Sequence, residues 1–286
     1  MARLSSLFYV FMLLFQHIDG YKIVFMIHGV MGDSGSLEYL SDYIRQAHPG
    51  TEVHNMNLFP NYRSLERLWT QVKGFRTEIE RLINNRTEEV HLLGYSQGGL
   101  VARGVVQSWD NHPFSSFISL SSPQAGQFGD GFLHLVFPGA VRDEAFRLFY
   151  SRFGQLTSVG NYWNDPREQA AYLKYSQFLA PLDNEVFSNS SKRYRRNLLR
   201  LQRLVLIGGP DDGVITPWQS SQFSYYDANL TVVDVHQRHG YRADDIGLKT
   251  LDKRGALRLH TYPGIHHTRW HHNITVIREA ILPYLD

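Results

Sequence analysis

Glu89-Val-His-Leu-Leu-Gly-Tyr-Ser96-Gln-Gly-Gly-Leu-Val-Ala-Arg-Gly-Val-Val-Gln107 begins as an apolar run and ends with helical spacing, and the change falls at Gly94-Tyr95-Ser96-Gln97-Gly98. Val90, Leu92 and Leu93 predict a buried strand, while Leu100, Val101, Gly104 and Val105 recur as on one face of a helix. A strand that turns abruptly into a helix through G-x-S-x-G holds its serine exposed on a strained turn, and the flanking glycines let the two elements approach without a side-chain clash. The amide after the serine, that of Gln97, then sits at a helix N-terminus where it can donate to a developing oxyanion. The pentapeptide alone would arise by accident roughly one time in ten in a chain this long, so the flanks carry the reading. An ordinary strand-turn-helix crossover is the plainer alternative.

Upstream, Lys22 to Ile27 is rich in Ile, Val, Phe and Met, as expected for a strand covered on both faces. It runs into His28-Gly-Val-Met-Gly-Asp33, a turn placed to supply a second oxyanion amide, from Val30 or, next in order, Met31. Leu37, Leu40, Ile44 and Ala47 predict an amphipathic helix that ends before Pro49-Gly50, and Thr51 to Leu58 predicts the next strand. Leu65, Leu68, Trp69, Val72, Phe75, Ile79, Leu82 and Ile83 keep helical spacing before the serine motif, and Phe114 to Leu120 predicts a strand after it. This alternation predicts a mostly parallel, doubly wound α/β sheet, and with the serine turn an α/β-hydrolase fold.

After Ser121-Ser-Pro-Gln124 the rhythm breaks, and strand-like runs do not return until Leu204-Val-Leu-Ile-Gly-Gly209. An inserted, mainly helical cap is expected over about 124–200, within one domain spanning 21–286. Its Phe128, Phe132, Phe137, Phe146, Phe149, Tyr150, Tyr162, Trp163 and Tyr172 either line a slot for an acyl chain or form the cap's own core. Lys192, Arg193, Arg195 and Arg196, with Arg200 and Arg203, read as the solvated face of a helix that turns Leu198, Leu199 and Leu201 inward. Sharper readings of the same run are a processing site after Arg196 or a contact for substrate phosphates. Thr231 to His236 and Leu257 to Tyr262 predict further strands, and Ile274 to Leu285 a closing helix.

Composition narrows the function. The 286 residues are 43% hydrophobic, enough for a substantial core, and 29 Lys and Arg against 27 Asp and Glu leave a charge of only +2, which argues against a nucleic-acid binder. Fourteen histidines, all but one beyond residue 20, carry the mature chain toward about +15 once protonated in acid. With no cysteine, disulfides, thiolate metal sites and a cysteine nucleophile are excluded. Residues 1–20 have the charged, apolar and small-residue order of a secretory signal peptide, and the apolar run is too short to span a bilayer, so no stable membrane insertion is expected. Sequons at Asn85, Asn189, Asn229 and Asn273 agree with secretion and are candidate glycosylation sites.

A serine hydroxyl needs a neighbouring imidazole to take its proton, and the imidazole needs a carboxylate to fix its tautomer. Serine, acid and histidine follow in the α/β-hydrolase order if Ser96 is joined by an aspartate of Pro210-Asp211-Asp212-Gly213 and a histidine of Ile265-His266-His267-Thr268. Neighbours on an extended loop point opposite ways, so only one of Asp211 and Asp212, and one of His266 and His267, can serve. A metal held by His266, His267, His271 and His272 is the competing reading, although no H-E-x-x-H pattern accompanies them. No metal or other cofactor is expected. The same triad would serve an oxygen-ester lipase or carboxylesterase, and an inactive hydrolase-fold binding protein is a third possibility.

Gly94-Tyr-Ser-Gln-Gly-Gly-Leu-Val101, Ser116-Phe-Ile-Ser-Leu-Ser-Ser-Pro-Gln124, Leu206-Ile-Gly-Gly-Pro-Asp-Asp-Gly-Val-Ile-Thr-Pro-Trp-Gln-Ser220, Tyr226-Asp-Ala-Asn229, Gly247-Leu-Lys-Thr-Leu251 and His267-Thr-Arg-Trp-His271 together resemble the palmitoyl-protein thioesterase family. The likeness runs from about Lys22 to the C-terminus. It implies that Ser96 is the nucleophile, Asp212 the acid and His267 the base. It further implies a lysosomal glycoprotein, expected to act as a monomer, that hydrolyses fatty-acyl thioesters carried by coenzyme A, small thiols or protein cysteines.

Overall fold

Six parallel strands form the central sheet: β1 (Val24–Ile27), β2 (Val53–Met56), β3 (Val90–Tyr95), β4 (Phe114–Leu120), β5 (Arg203–Gly208) and, last in the chain, β8 (Leu257–Thr261). Their spatial order is β2-β1-β3-β4-β5-β8. The computed structural model describes residues 20–84, 86–136 and 142–286; the expected leader, but for Gly20, and Asn85 and Phe137 lie outside the described residues.

The strands alternate in the way a sheet covered on both faces requires. Val24, Met26, Leu93, Tyr95, Ile118, Leu120, Val205 and Ile207 point to one side, where Leu40 and Ile44 of helix α1 (Glu38–Ala47) and the closing residues Val276, Ile277, Ala280 and Ile281 cover them. Phe25, Ile27, Leu92, Phe117, Leu204 and Leu206 point to the other, against Val72, Phe75 and Ile79 of helix α2 (Leu68–Ile83) and Leu100, Val101 and Val105 of helix α3 (Gln97–Ser108). Each such side chain, buried outright, contributes about 1.5–3 kcal/mol. Because the order of strands reverses between β1 and β3, the ends of those two strands diverge into a crevice, the usual place for a ligand in an open α/β sheet.

Between β4 and β5 the chain winds into short helices, Asp130–Val136, Ala145–Phe149, Ser158–Tyr162, Gln169–Tyr175, Leu179–Leu182 and α4 (Ser191–Leu198), and its described residues add no strand to the central sheet. Its aromatic residues pack on one another: Trp163 meets Phe128 at 5.4 Å and Phe149 at 5.1 Å, Phe132 meets Tyr162 at 5.8 Å, and all five are buried. They are therefore the segment's own core. In α4, Tyr194 and Leu198 turn inward while Arg195 and Arg196 pair with Asp244 and Asp110, each at 2.6 Å, so the basic run is a solvated face tied to acidic neighbours.

Two expected elements differ. The strand expected over Thr231 to His236 shrinks to β7 (Val232–Val233), which pairs antiparallel with β6 (Tyr225–Tyr226) apart from the central sheet. Asp234 is the reason: its carboxylate accepts from the His236 amide at 2.9 Å and starts a tight turn over Val235–Gln237. The closing helix forms, but as three turns of different pitch, Ile274–Val276, Ile277–Ile281 and Leu282–Tyr284, the last holding Pro283 at its second position, which has no N–H to extend the ladder.

Candidate active site

The turn from β3 into α3 leaves no room for side chains at its glycines. A Cβ on Gly94 would stand 2.4 Å from the Gly98 carbonyl oxygen, and one on Gly98 would stand 2.3 Å from that of Ile27 and 2.4 Å from that of His28. Ser96 accordingly takes φ 54°, ψ −129°, a conformation that costs an L residue about 1–3 kcal/mol and that raises its hydroxyl above the sheet.

His267 begins the turn that follows Ile265, and Asp212 lies just past β5. Ser96 Oγ is 2.9 Å from His267 Nε2, and His267 Nδ1 is 3.1 and 3.0 Å from the two carboxylate oxygens of Asp212. A nitrogen facing a carboxylate carries the proton, which leaves Nε2 as the acceptor for the serine hydroxyl. Main-chain bonds fix the frame: the His267 amide donates to the Asp212 carbonyl at 2.8 Å, and the Tyr95 hydroxyl donates to the His267 carbonyl at 2.8 Å.

Of the adjacent pairs left open by the residues alone, the rivals are turned away. Asp211 is exposed and accepts from the Gly264 amide at 2.6 Å, and His266 is exposed. His271 is buried with its ring 4.7 Å from that of Tyr95, and burial above all, then the charges of His272, His267 and Arg269, pushes it down to about 4. Among the described residues no three His, Asp or Glu side chains are grouped to hold a metal ion.

Burial works to raise Asp212, but hydrogen bonds from His267, Ser121 and the Ile215 amide, together with the charge of His267, outweigh it and hold the carboxyl below the usual range. The acid is thus ionised wherever the imidazole is asked to act as a base.

The loop after β1 lies against Ser96, close enough that a Cβ on Gly29 would stand 2.9 Å from that of Ser96. Met31 donates its amide to Ser64 Oγ at 2.7 Å, whereas the N–H groups of Val30 and Gln97 have no acceptor among the described residues. Sequence reasoning passed over Ser64, which also accepts at its carbonyl from the Gln97 side chain at 2.7 Å and that of Gln71 at 2.8 Å. It therefore ties the two amide-bearing loops together. Ser121 and Trp270, both hydrogen-bonded to Asp212, lie within the quoted motifs, but sequence reasoning linked neither to the carboxylate and read Trp270 only as shaping the loop before the last helix.

The palmitoyl protein thioesterase family profile matches residues 23–267, which takes in Ser96, Asp212 and His267. The chain belongs to the palmitoyl protein thioesterase family. It is accordingly a thioester hydrolase. Among curated relatives, this thioesterase is 47% identical over 266 residues to a Drosophila melanogaster protein named lysosomal thioesterase PPT2 homolog, covering 93% of this chain and 92% of that one. To the human lysosomal thioesterase PPT2 it is 46% identical over 271 residues, covering 94% of this chain and 90% of that one. Of solved structures, Aspergillus fumigatus lipase B superposes with a TM-score of 0.53 at 14% identity, covering 93% of this chain and 53% of that one, a likeness of fold alone.

Proposed function

We propose that the thioesterase cleaves fatty-acyl thioesters in the lysosome through an acyl-enzyme on Ser96, with His267 as base and Asp212 as the carboxylate that orients it. The observation that carries this reading is the unbroken line of hydrogen bonds from Ser96 Oγ through the imidazole to the carboxylate, at 2.9 and 3.0 Å. Lysosomal placement rests on relatives that carry that word in their names and span nearly the whole chain.

Ser96 Oγ attacks the acyl carbonyl as its proton passes to His267 Nε2. The carbonyl oxygen becomes an oxyanion held by the amides of Gln97 and Val30, which have no other acceptor among the described residues. The C–S bond breaks, and the thiolate, whose conjugate acid has a pKa near ~8.5, leaves with little help and collects the proton from His267. A water then attacks the acyl-serine as its proton passes to His267; the bond between the acyl carbon and Ser96 Oγ breaks, His267 returns the proton to Oγ, and the fatty acid leaves.

No helix among the described residues is long and apolar enough to cross a membrane. Asn189 and Asn229 are exposed and Asn273 half-buried; with Asn85 they are the positions proposed to carry glycans.

Acid-quenched enzyme mixed with a palmitoyl thioester and analysed by peptide mass spectrometry tests the pathway: the acyl mass should appear on the peptide holding Ser96. The same acyl group offered on coenzyme A, on a cysteine peptide and on glycerol tests the substrate class. Hydrolysis of the glyceride as fast as that of the thioesters contradicts it.

A further inference from the structure

Four donors crowd the Asp212 carboxylate besides His267. Oδ1 accepts from the amides of Val214 at 3.1 Å and Ile215 at 2.7 Å, and Oδ2 accepts from the Ser121 hydroxyl at 2.5 Å and the Trp270 indole at 2.6 Å. A carboxylate offers about four lone-pair sites. The four donors fill them, and His267 Nδ1 is left straddling both oxygens at 3.1 and 3.0 Å. An undivided charge-assisted N–H···O bond is shorter, about 2.7–2.9 Å.

Ser121 reaches this position at a cost. Its φ is 45°, in the region that suits glycine and strains other residues. Glycine would relieve the strain, so the serine is explained by its hydroxyl, which besides meeting Asp212 lies 3.2 Å from His267 Nδ1.

We propose, on the triad reading given above, that Ser121 is a positioning residue that shares the Asp212 carboxylate with His267 and, with Trp270, extends turnover into acid. A carboxylate given wholly to the imidazole stabilises the imidazolium, and an imidazolium cannot accept the serine proton. Donors that take up part of the carboxylate's charge weaken that pull, so the base stays available at lower pH. Asp212 itself remains ionised there, because the hydrogen bond and charge of His267, and then the hydrogen bonds from Ser121 and the Ile215 amide, hold its carboxyl below the usual range against the effect of burial.

The other groups around the imidazole do not supply this effect. Tyr95, from β3, stacks on His267 at 5.3 Å and is kept neutral by burial. His271, pushed down to about 4, is uncharged over most of the acid range. Arg269 and His272 are exposed and screened by solvent, Asp211 is turned to the Gly264 amide, and the His28 ring nitrogens meet the carbonyls of Gly29 and Leu58, each at 2.9 Å.

The test is the pH profile of kcat/KM on a palmitoyl thioester for wild type, Ser121→Gly, Ser121→Ala, Trp270→Phe and Ser96→Ala. Ser121→Gly removes the hydroxyl and the backbone strain together, and Ser121→Ala removes the hydroxyl alone. In either variant the acid limb should move up by about 0.5–1 pH unit, with the neutral plateau within about threefold of wild type. Trp270→Phe should move it the same way. An acid limb that stays in place in both Ser121 variants, whether turnover is full or lowered equally at every pH, overturns the proposal. Ser96→Ala separates the two levels: inactive at all pH values, it leaves the triad standing and condemns only the role of Ser121, whereas an active Ser96→Ala enzyme condemns the triad reading itself.

Discussion

Arg103 and Asp183 form a buried ion pair that joins α3, the helix that follows Ser96, to the helical segment between β4 and β5. The same guanidinium donates to the Gln124 carbonyl at 2.9 Å and stands 5.0 Å from the centre of the Phe223 ring. Loss of one partner strands the other charge away from water. Arg103→Leu or Asp183→Leu should therefore destabilise the fold by about 3–5 kcal/mol, and the double variant by less than the sum. Urea denaturation of the three variants decides it; strict additivity would mean that the charges do not sense each other.

Glu185 lies beside that pair, with its carboxylate 3.3 Å from the Arg238 guanidinium. The protein packed around it and the Asp183 carboxylate push it up to about 7 against the pull of Arg238, although a quarter of the side chain stays open to solvent. The folded state thus holds a proton that the unfolded chain releases near its ordinary 4.5. The resulting stability is present in full below that value and fades as the pH rises through about 7. The buried histidines His91, His112 and His271, each pushed down to about 4, work the other way and cost stability in acid, so the effect of Glu185 is read as a difference: from pH 8 to pH 5 the melting temperature of wild type should rise more, or fall less, than that of Glu185→Gln. A Glu185→Gln protein with the wild-type dependence would contradict this.

At Gly98 the obstruction to a side chain is main chain, the carbonyls of Ile27 and His28, which cannot swing aside as a rotamer can. Gly98→Ala should force β1 and α3 apart, costing about 1–3 kcal/mol or more and displacing the Gln97 amide. Thermal melting and fluorophosphonate labelling of Ser96 should both suffer. A variant that melts and labels like wild type would show the turn to be looser than its geometry.

The parts of this fold that were legible in the chain are those set by local pattern. Apolar runs marked β1, β3, β4 and β5, helical spacing marked α1 to α3, and the glycines around Ser96 marked the turn. Side-chain direction is a different matter. Asp211 and Asp212 are chemically identical neighbours, and only the path of the loop after β5 turns Asp212 inward; resemblance to a family, not periodicity, singled it out. The strand expected at Thr231 failed because one capping carboxylate, Asp234, outweighed a short β-branched run. Ser64 and Ser121 left no local trace, since what distinguishes them is a partner 33 or 91 positions away.

Ser64 offers a test of the oxyanion assignment that leaves the nucleophile alone. Its hydroxyl holds the Met31 amide at 2.7 Å and thereby sets the loop that carries Val30. Ser64→Ala should lower kcat by about tenfold with KM changed less than about twofold, because the loss is felt by the charge that develops in the transition state. A rise in KM at constant kcat would assign the loop to substrate binding instead.

The account depends above all on Ser96. The most direct measurement is kcat/KM of Ser96→Ala for a palmitoyl thioester, with circular dichroism to confirm that the fold is kept. A fall of about 10⁴-fold or more is predicted, as for other enzymes deprived of a triad member. A folded Ser96→Ala protein that still hydrolyses the thioester within about tenfold of the wild-type rate would contradict it.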